Sequence, residues 1–178
     1  MSELPISVVE LIPDRLLMGP MPNKKSISVR DLLKQHDVNI FVNLCHSKKA
    51  RWYISEDQKL ISSLWKDSVR GYNTVCIPFE MNSEEPLKDE LIFKFISRLA
   101  NIMRCDPNLK MYIHCYDGKW CSATIALCLW KFLHEDTTFD PIQAVKSMGK
   151  HELIKKKAFT EQIKRICEKD KRSLHKFF

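Results

Sequence analysis

Residues 111–130 read MYIHCYDGKWCSATIALCLW, an apolar run that ends in a cysteine, a short polar turn holding one glycine, and a second run that is apolar on every side. This is the pattern of a strand, a tight loop and a buried helix. Between a strand end and a helix start, the backbone N–H groups of Tyr116, Asp117, Gly118, Lys119, Trp120, Cys121 and Ser122 can converge. They would form an anion-binding nest at the positive end of the helix dipole. A cysteine on the rim of such a nest has its thiolate stabilised by the same donors, which makes Cys115 a usable nucleophile at neutral pH. His114 and Ser122 are placed to help fix that thiolate. Gly118 allows backbone to approach an anion closely, Lys119 adds a cation and Asp117 subtracts one. Singly, each residue has a duller reading, since a strand-end cysteine is often a small buried hydrophobe and a turn glycine only a turn. The combination His-Cys-x-x-Gly between an apolar strand and an apolar helix is much more specific.

The rest of the chain sets the context. With 178 residues and 44% hydrophobic content, it is long enough for one domain with a substantial core and short for two. We read residues 1–178 as a single domain, with a core at about 8–168 and a basic tail at 169–178. Neither a basic n-region with a long apolar h-region nor an apolar run of membrane-spanning length occurs. The expectation is therefore a soluble protein of the cytoplasm, with the nucleus also compatible. Seven cysteines at irregular spacing suit a reducing compartment better than a disulfide framework. There is no CxxC pair and no CxxC with HxxxH set, so neither a metal nor another cofactor is implied. The formal net charge of +7 points to an acidic partner without choosing among a phosphorylated protein, an inositide, RNA and an anionic surface. Much of that excess lies in Lys155, Lys156 and Lys157 and from Lys164 to Lys176, which reads as a solvated helix face and tail.

Apolar patterning gives an alternation of strands and helices. ISVVELI and DRLLMG read as two short strands, Ser28 to His36 as a helix, and Val38 to Leu44 as a strand buried on both faces. Glu56 to Val69 has helical spacing, and NTVCIP reads as another buried strand ending at Pro78. Pro86 to Arg104 is the clearest amphipathic helix, with Leu91, Phe95, Ile96, Leu99 and Ile102 or Met103 on one stripe. Helices are further expected from about Ser122 to His134, Pro141 to Met148 and Ala158 to Cys167. Such an order implies an α/β fold, a central, mostly parallel twisted sheet flanked by helices. In sheets of this kind ligands gather at the carboxyl ends of the strands. The loops after Leu44, Pro78 and His114 share that address.

The run from His114 to Ser122 resembles the signature loop of cysteine-dependent phosphatases: His, Cys, five residues, Arg, then Ser or Thr. Asn43-Leu44-Cys45 after a strand, and Ile77-Pro78-Phe79-Glu80 before a loop, resemble the dual-specificity phosphatases, most of all their tensin-type lipid phosphatase branch. The Asp-Gly pair inside the loop is similar to that of myotubularin-type inositide phosphatases. Lys119 stands where a lysine of the lipid phosphatases contacts the headgroup. The likeness spans about Glu10 to Cys167 and implies the dual-specificity fold, a phosphocysteine mechanism and phosphoprotein or inositide substrates. It also implies that a cysteine at the position of Cys45 can pair reversibly with Cys115, and Cys121 offers a competing partner; the plainer reading is that Cys45 and Cys121 are both reduced and packed.

Two departures bear on activity. The loop arginine, which grips phosphoryl oxygens and stabilises transition-state charge, is replaced by Cys121. Such a loss costs on the order of 10³ to 10⁵ in rate. The general-acid aspartate aligns with Met81, which has no proton to give, and losing a general acid costs about 10² to 10⁴. Glu80 is adjacent but should face the other way, and Glu84 and Glu85 lie downstream. The pattern resembles a pseudophosphatase: a catalytically impaired fold that binds a phosphorylated or acidic partner, an inositide included. The segment His46-Ser47-Lys48-Lys49-Ala50-Arg51 reads either as an electropositive wall beside the cradle, through Lys48, Lys49 and Arg51, or as a solvated loop. Two alternatives remain, an active divergent phosphatase using Cys115 and a scaffold with a vestigial site. RNA 5′-triphosphatases of the superfamily dispense with the aspartate but keep the loop arginine, so nucleic acid ranks last among partners.

Overall fold

The computed structural model describes residues 7–22, 27–45, 75–82, 84–134 and 136–169. Five strands form one sheet: β1 (Val9–Ile12), β2 (Leu16–Pro20), β3 (Ile40–Asn43), β4 (Val75–Pro78) and β5 (Met111–Cys115), in the order β1-β2-β5-β3-β4. The β1–β2 hairpin is antiparallel, and β2, β5, β3 and β4 run parallel to one another. The helices are α1 (Val29–Lys34), α2 (Asp89–Cys105), α3 (Trp120–Leu133), α4 (Pro141–Ser147) and α5 (Lys157–Glu168), with a 3₁₀ turn at His151–Ile154 before the last. It is a mixed α/β domain with helices on both faces of the sheet.

Strand periodicity divides the core in two. Leu16, Met18, Ile40, Val42, Met111, Ile113 and Cys115 face one way, into the layer that includes residues of α2, α3, α4 and α5. Leu17, Phe41 and Tyr112 face the other way, against Val29, Leu32 and Leu33 of α1. Residues two apart sharing a face is the geometry of a pleated strand. The central strands carry apolar side chains on both faces because both are covered. The apolar character of IALCLW follows from position: α3 packs against the sheet, α2, α4 and α5, so almost no side of it meets water.

Helix ends follow local chemistry. Ser28 caps α1 with a reciprocal box, its Oγ accepting from Asp31 N at 3.1 Å while its own N–H donates to Asp31 Oδ2 at 3.3 Å. Asp140 caps α4, accepting from Ile142 N at 2.8 Å, with Pro141 in the first turn.

Several details differ from the sequence expectation. β4 is an edge strand, not a buried one: Val75 is 53% exposed, and Cys76 and Pro78 are exposed too. β-branched runs report strand formation but not how many faces are covered. The helix expected from Pro86 begins at Asp89, and the proline precedes it. Its buried stripe is Ile92, Phe93, Ile96, Leu99, Ala100 and Met103, whereas Leu91 is 51% exposed and Ile102 is also exposed. One residue on a helix is a turn of about 100°, enough to move an apolar side chain from core to solvent. α3 starts at Trp120 rather than Ser122. The expected helix at 56–69 and the tail from 170 onward lie outside the described residues, and among those described no helix is long and apolar enough to cross a membrane.

The two adjacent positions of α2 give a direct check. Ile92→Ala should lower unfolding free energy by about 2–5 kcal/mol in urea titration, and Leu91→Ala should change it by no more than about 0.5 kcal/mol. Equal losses would contradict this placement of the stripe.

Candidate active site

Parallel register brings the strand ends level. Pro20 lies opposite Cys115, Gly19 opposite His114, and Asn43 opposite both His114 and Pro78. Main-chain bonds then tie the following loops together. Leu44 N donates to His114 O at 2.9 Å, Met81 N to Leu44 O at 3.1 Å and Met21 N to Tyr116 O at 3.4 Å. The segments after β2, β3, β4 and β5 thus meet at one end of the sheet, around the turn from Tyr116 to Lys119.

Gly118 is what lets that turn sit so low. Its φ is +73°, and a Cβ there would collide with the main chain of Gly19 and Pro20. The Tyr112 hydroxyl, buried beneath, donates to Pro20 O at 2.6 Å and holds the end of β2 in place.

Cys115 is 5% exposed, and its Sγ lies 3.3 Å from Ser122 Oγ and 3.6 Å from Asp117 Oδ1. A hydrogen bond from the Cys121 thiol, together with donors from the Ser122 side chain and backbone, pulls the Cys115 thiol down to about 6 against the opposing effects of burial and the Asp117 charge. The same pairing, with burial, drives the Cys121 thiol up. At neutral pH the site therefore holds one thiolate and one thiol. Cys121 itself is 3% exposed, and Asn82 O, at 3.6 Å, is the alternative acceptor for its single S–H proton.

Asp117 turns back into its own loop. Its Oδ1 accepts the Lys119 N–H at 3.2 Å while lying near the Cys115 sulfur, so one of the inward donors expected of the cradle is occupied by a carboxylate of the loop. Tyr116 is exposed, and Lys119 is exposed at the start of α3. Trp120 is half-buried. Its ring packs against the core, its Nε1 has no hydrogen-bond partner among the described residues, and the Lys156 ammonium lies 4.9 Å from the ring centroid.

His114 is placed differently from its neighbour. The ring stacks on Tyr112, at 5.9 Å between centroids, on the sheet face opposite Cys115. Burial pushes His114 down to about 4, against a hydrogen bond to the Cys115 main chain. It is neutral at physiological pH and supports the strand end without adding charge. Cys45 is buried at the end of β3, its N–H donating to Asn43 Oδ1 at 2.9 Å. Met81 is 2% exposed and packed in the apolar layer, while Glu80, Glu84 and Glu85 are exposed. Lys48, Lys49 and Arg51 lie outside the described residues.

Two contributors escape sequence reasoning, Lys156 over Trp120 and the Asn82 carbonyl beneath Cys121. A carbonyl leaves no trace in residue type. Lys156 differs from Lys155 and Lys157 only in being half-buried, which a run of three lysines cannot express. Among the described residues no group of three or more His, Cys, Asp or Glu is placed to hold a metal ion.

No family model matches the sequence, and no curated protein matches it. Solved structures do. PTPMT1 in complex with PI(5)P superposes with a TM-score of 0.66 at 14% identity, covering 96% of this chain and 98% of that one. Kinase associated phosphatase, in a form with its catalytic-site cysteine replaced by serine, gives 0.64 at 16% identity over 94% and 98%. The core catalytic domain of the PP-IP phosphatase SIW14 from S. cerevisiae, in complex with citrate, gives 0.67 at 12% identity over 99% and 93%. At such identities the likeness is one of architecture: this chain has the fold of the dual-specificity-type cysteine phosphatases.

Proposed function

We propose that this chain is a catalytically impaired member of that fold, whose loop after β5 binds a phosphorylated or acidic ligand without effective turnover. The observation that carries the reading is the state of Cys121. It stands at the loop position of the missing arginine, buried, with the Cys115 sulfur and Asn82 O as alternative acceptors for its one S–H proton. A thiol there can donate one hydrogen bond to the thiolate. It cannot offer two parallel N–H groups to phosphoryl oxygens. Met81, packed into the core, adds no proton donor for a leaving group.

One observation favours a second reading, an active divergent phosphatase. Cys115 at about 6 is ionised at neutral pH, so the nucleophile is ready. Its attack on phosphorus would form a phosphocysteine and expel an alkoxide or phenolate needing either a proton or a low pKa. Only good leaving groups would then react at a useful rate.

Three measurements separate these readings and test the site. Alkylation of Cys115 by iodoacetamide, mapped by mass spectrometry, should be flat above about pH 7 and fall below about pH 6 as the thiolate is protonated. In Cys121→Ala the inflection should move up toward the ordinary thiol range, because the largest stabilising donor is gone. An unmoved inflection would contradict the assigned hydrogen bond. Second, the parent should hydrolyse p-nitrophenyl phosphate no faster than Cys115→Ser, and Cys121→Arg with Met81→Asp should exceed the parent by about 10³ or more. Appreciable Cys115-dependent turnover by the parent would overturn the impaired reading. Third, Asp117→Asn removes a negative charge from the cradle, so inorganic phosphate should protect Cys115 from alkylation at several-fold lower concentration than in the parent.

A further inference from the structure

Resting on the reading of the β5–α3 loop as an anion cradle, we infer that the cation completing it is Lys156, supplied from the turn before α5 rather than from the loop itself. A cradle that has lost its arginine needs positive charge from elsewhere, since it already contains the Asp117 carboxylate. Lys119 is within the loop but exposed at the helix start. Lys156 is half-buried and held at three points. Its ammonium lies 4.9 Å from the centroid of Trp120 and 5.1 Å from that of Phe159, and it donates to Glu84 O at 3.3 Å.

Those partners define where the charge sits. Trp120 immediately precedes Cys121, the loop's closing position. Glu84 lies two residues beyond Asn82, whose carbonyl accepts the Cys121 thiol. Lys156 and Cys121 are therefore attached to the same short segment. The turn carrying Lys156 is itself anchored. Arg165 of α5 pairs with Asp89 of α2 at 2.8 and 3.1 Å, and Thr160 Oγ1 donates to Ile154 O at 2.7 Å across the turn. An ammonium packed on aromatic rings is partly desolvated, which strengthens its attraction for an anion. Being a compact point charge on a flexible stem, it can swing from the Glu84 carbonyl to a phosphoryl oxygen. It supplies binding charge but lacks the planar fork that distinguishes a transition state from a ground state.

The test follows protection of Cys115 from iodoacetamide, mapped by mass spectrometry, with inorganic phosphate in one arm and vesicles carrying a phosphatidylinositol monophosphate in the other. Lys156→Gln keeps an N–H donor for Glu84 O but removes the charge. It should raise the half-protecting concentration about tenfold in whichever arm protects the parent, with Lys156→Arg near parental and Lys157→Gln unchanged. Protection of the parent by vesicles alone, with that same loss, would identify the bound anion as a lipid headgroup. If Lys156→Gln is protected as well as the parent, the assignment to Lys156 is wrong while the cradle stands. If neither probe protects the parent, the cradle reading fails and this inference with it. Should Lys156→Gln unfold, Lys156→Arg against a Lys156→Met variant at matched thermal stability decides the same question, and equal protection of those two overturns the assignment.

Discussion

The central strand of this molecule is fixed on both sides at once. β5 pairs in parallel with β2 and with β3, so that Cys115 stands opposite Pro20 while His114 stands opposite both Gly19 and Asn43. A slip of one residue would exchange the two faces of the strand, sending Ile113 and Cys115 toward α1 and Tyr112 and His114 into the larger core. The buried side chains on both faces forbid that. Register therefore determines that the sulfur faces α3 and the histidine does not. It also brings the four parallel strand ends level, so that the loops after them meet.

Given that frame, the electrostatics of the loop divide into two tasks. Stabilising the Cys115 thiolate requires hydrogen-bond donors close to sulfur, and the Cys121 thiol with Ser122 provides them, enough to hold the group down at about 6 despite burial. Gripping a phosphoryl group requires several donors or cations spread around three oxygens. Here one backbone donor is taken by Asp117, and among the described residues the cations beside the loop are the single lysines Lys119 and Lys156. Charge-assisted hydrogen bonds contribute about 1.5–3 kcal/mol each. One ammonium therefore offers less than a guanidinium's pair of bonds, and an ionised thiol beside a carboxylate adds repulsion toward an incoming dianion.

How much of this could be read from the sequence depended on whether the signal was local. The strand–loop–helix unit around Cys115 was legible because its elements are contiguous and each has its own period. The α/β architecture followed from the alternation, and the flanking elements among the described residues landed within a few residues of their expected places. Coverage was less readable. Leu91 and Ile92 are adjacent and equally apolar, and only the packing of α2 decides that one meets water. β4 has the composition of a core strand and lies at an edge. Lys156 was read with its neighbours as solvated, although tertiary contact with Trp120, thirty-six positions earlier in the chain, sets it apart. His114, adjacent to Cys115 in sequence, has its ring on the other side of the sheet, as the pleat requires of consecutive residues.

The separation of these two tasks means that an ionised nucleophile need not imply turnover. Lowering a thiol's pKa stabilises a ground state that exists before any ligand arrives, and it needs only donors that the loop possesses whether or not the arginine is present. Catalysis requires interactions stronger in the transition state than before it, and in phosphoryl transfer these come chiefly from groups that follow charge onto the equatorial oxygens and the leaving atom. In the proposed reading, Cys121 and Met81 stand where groups of that second kind would be. Cys121 leaves the thiolate's own donors in place and adds to them, so ionisation of Cys115 is no measure of turnover. A ready thiolate without a clamp is equally suited to holding charge, to reacting with small electrophiles and to remaining idle behind a bound anion. Which of these prevails depends on the cations that surround the loop, more than on the sulfur.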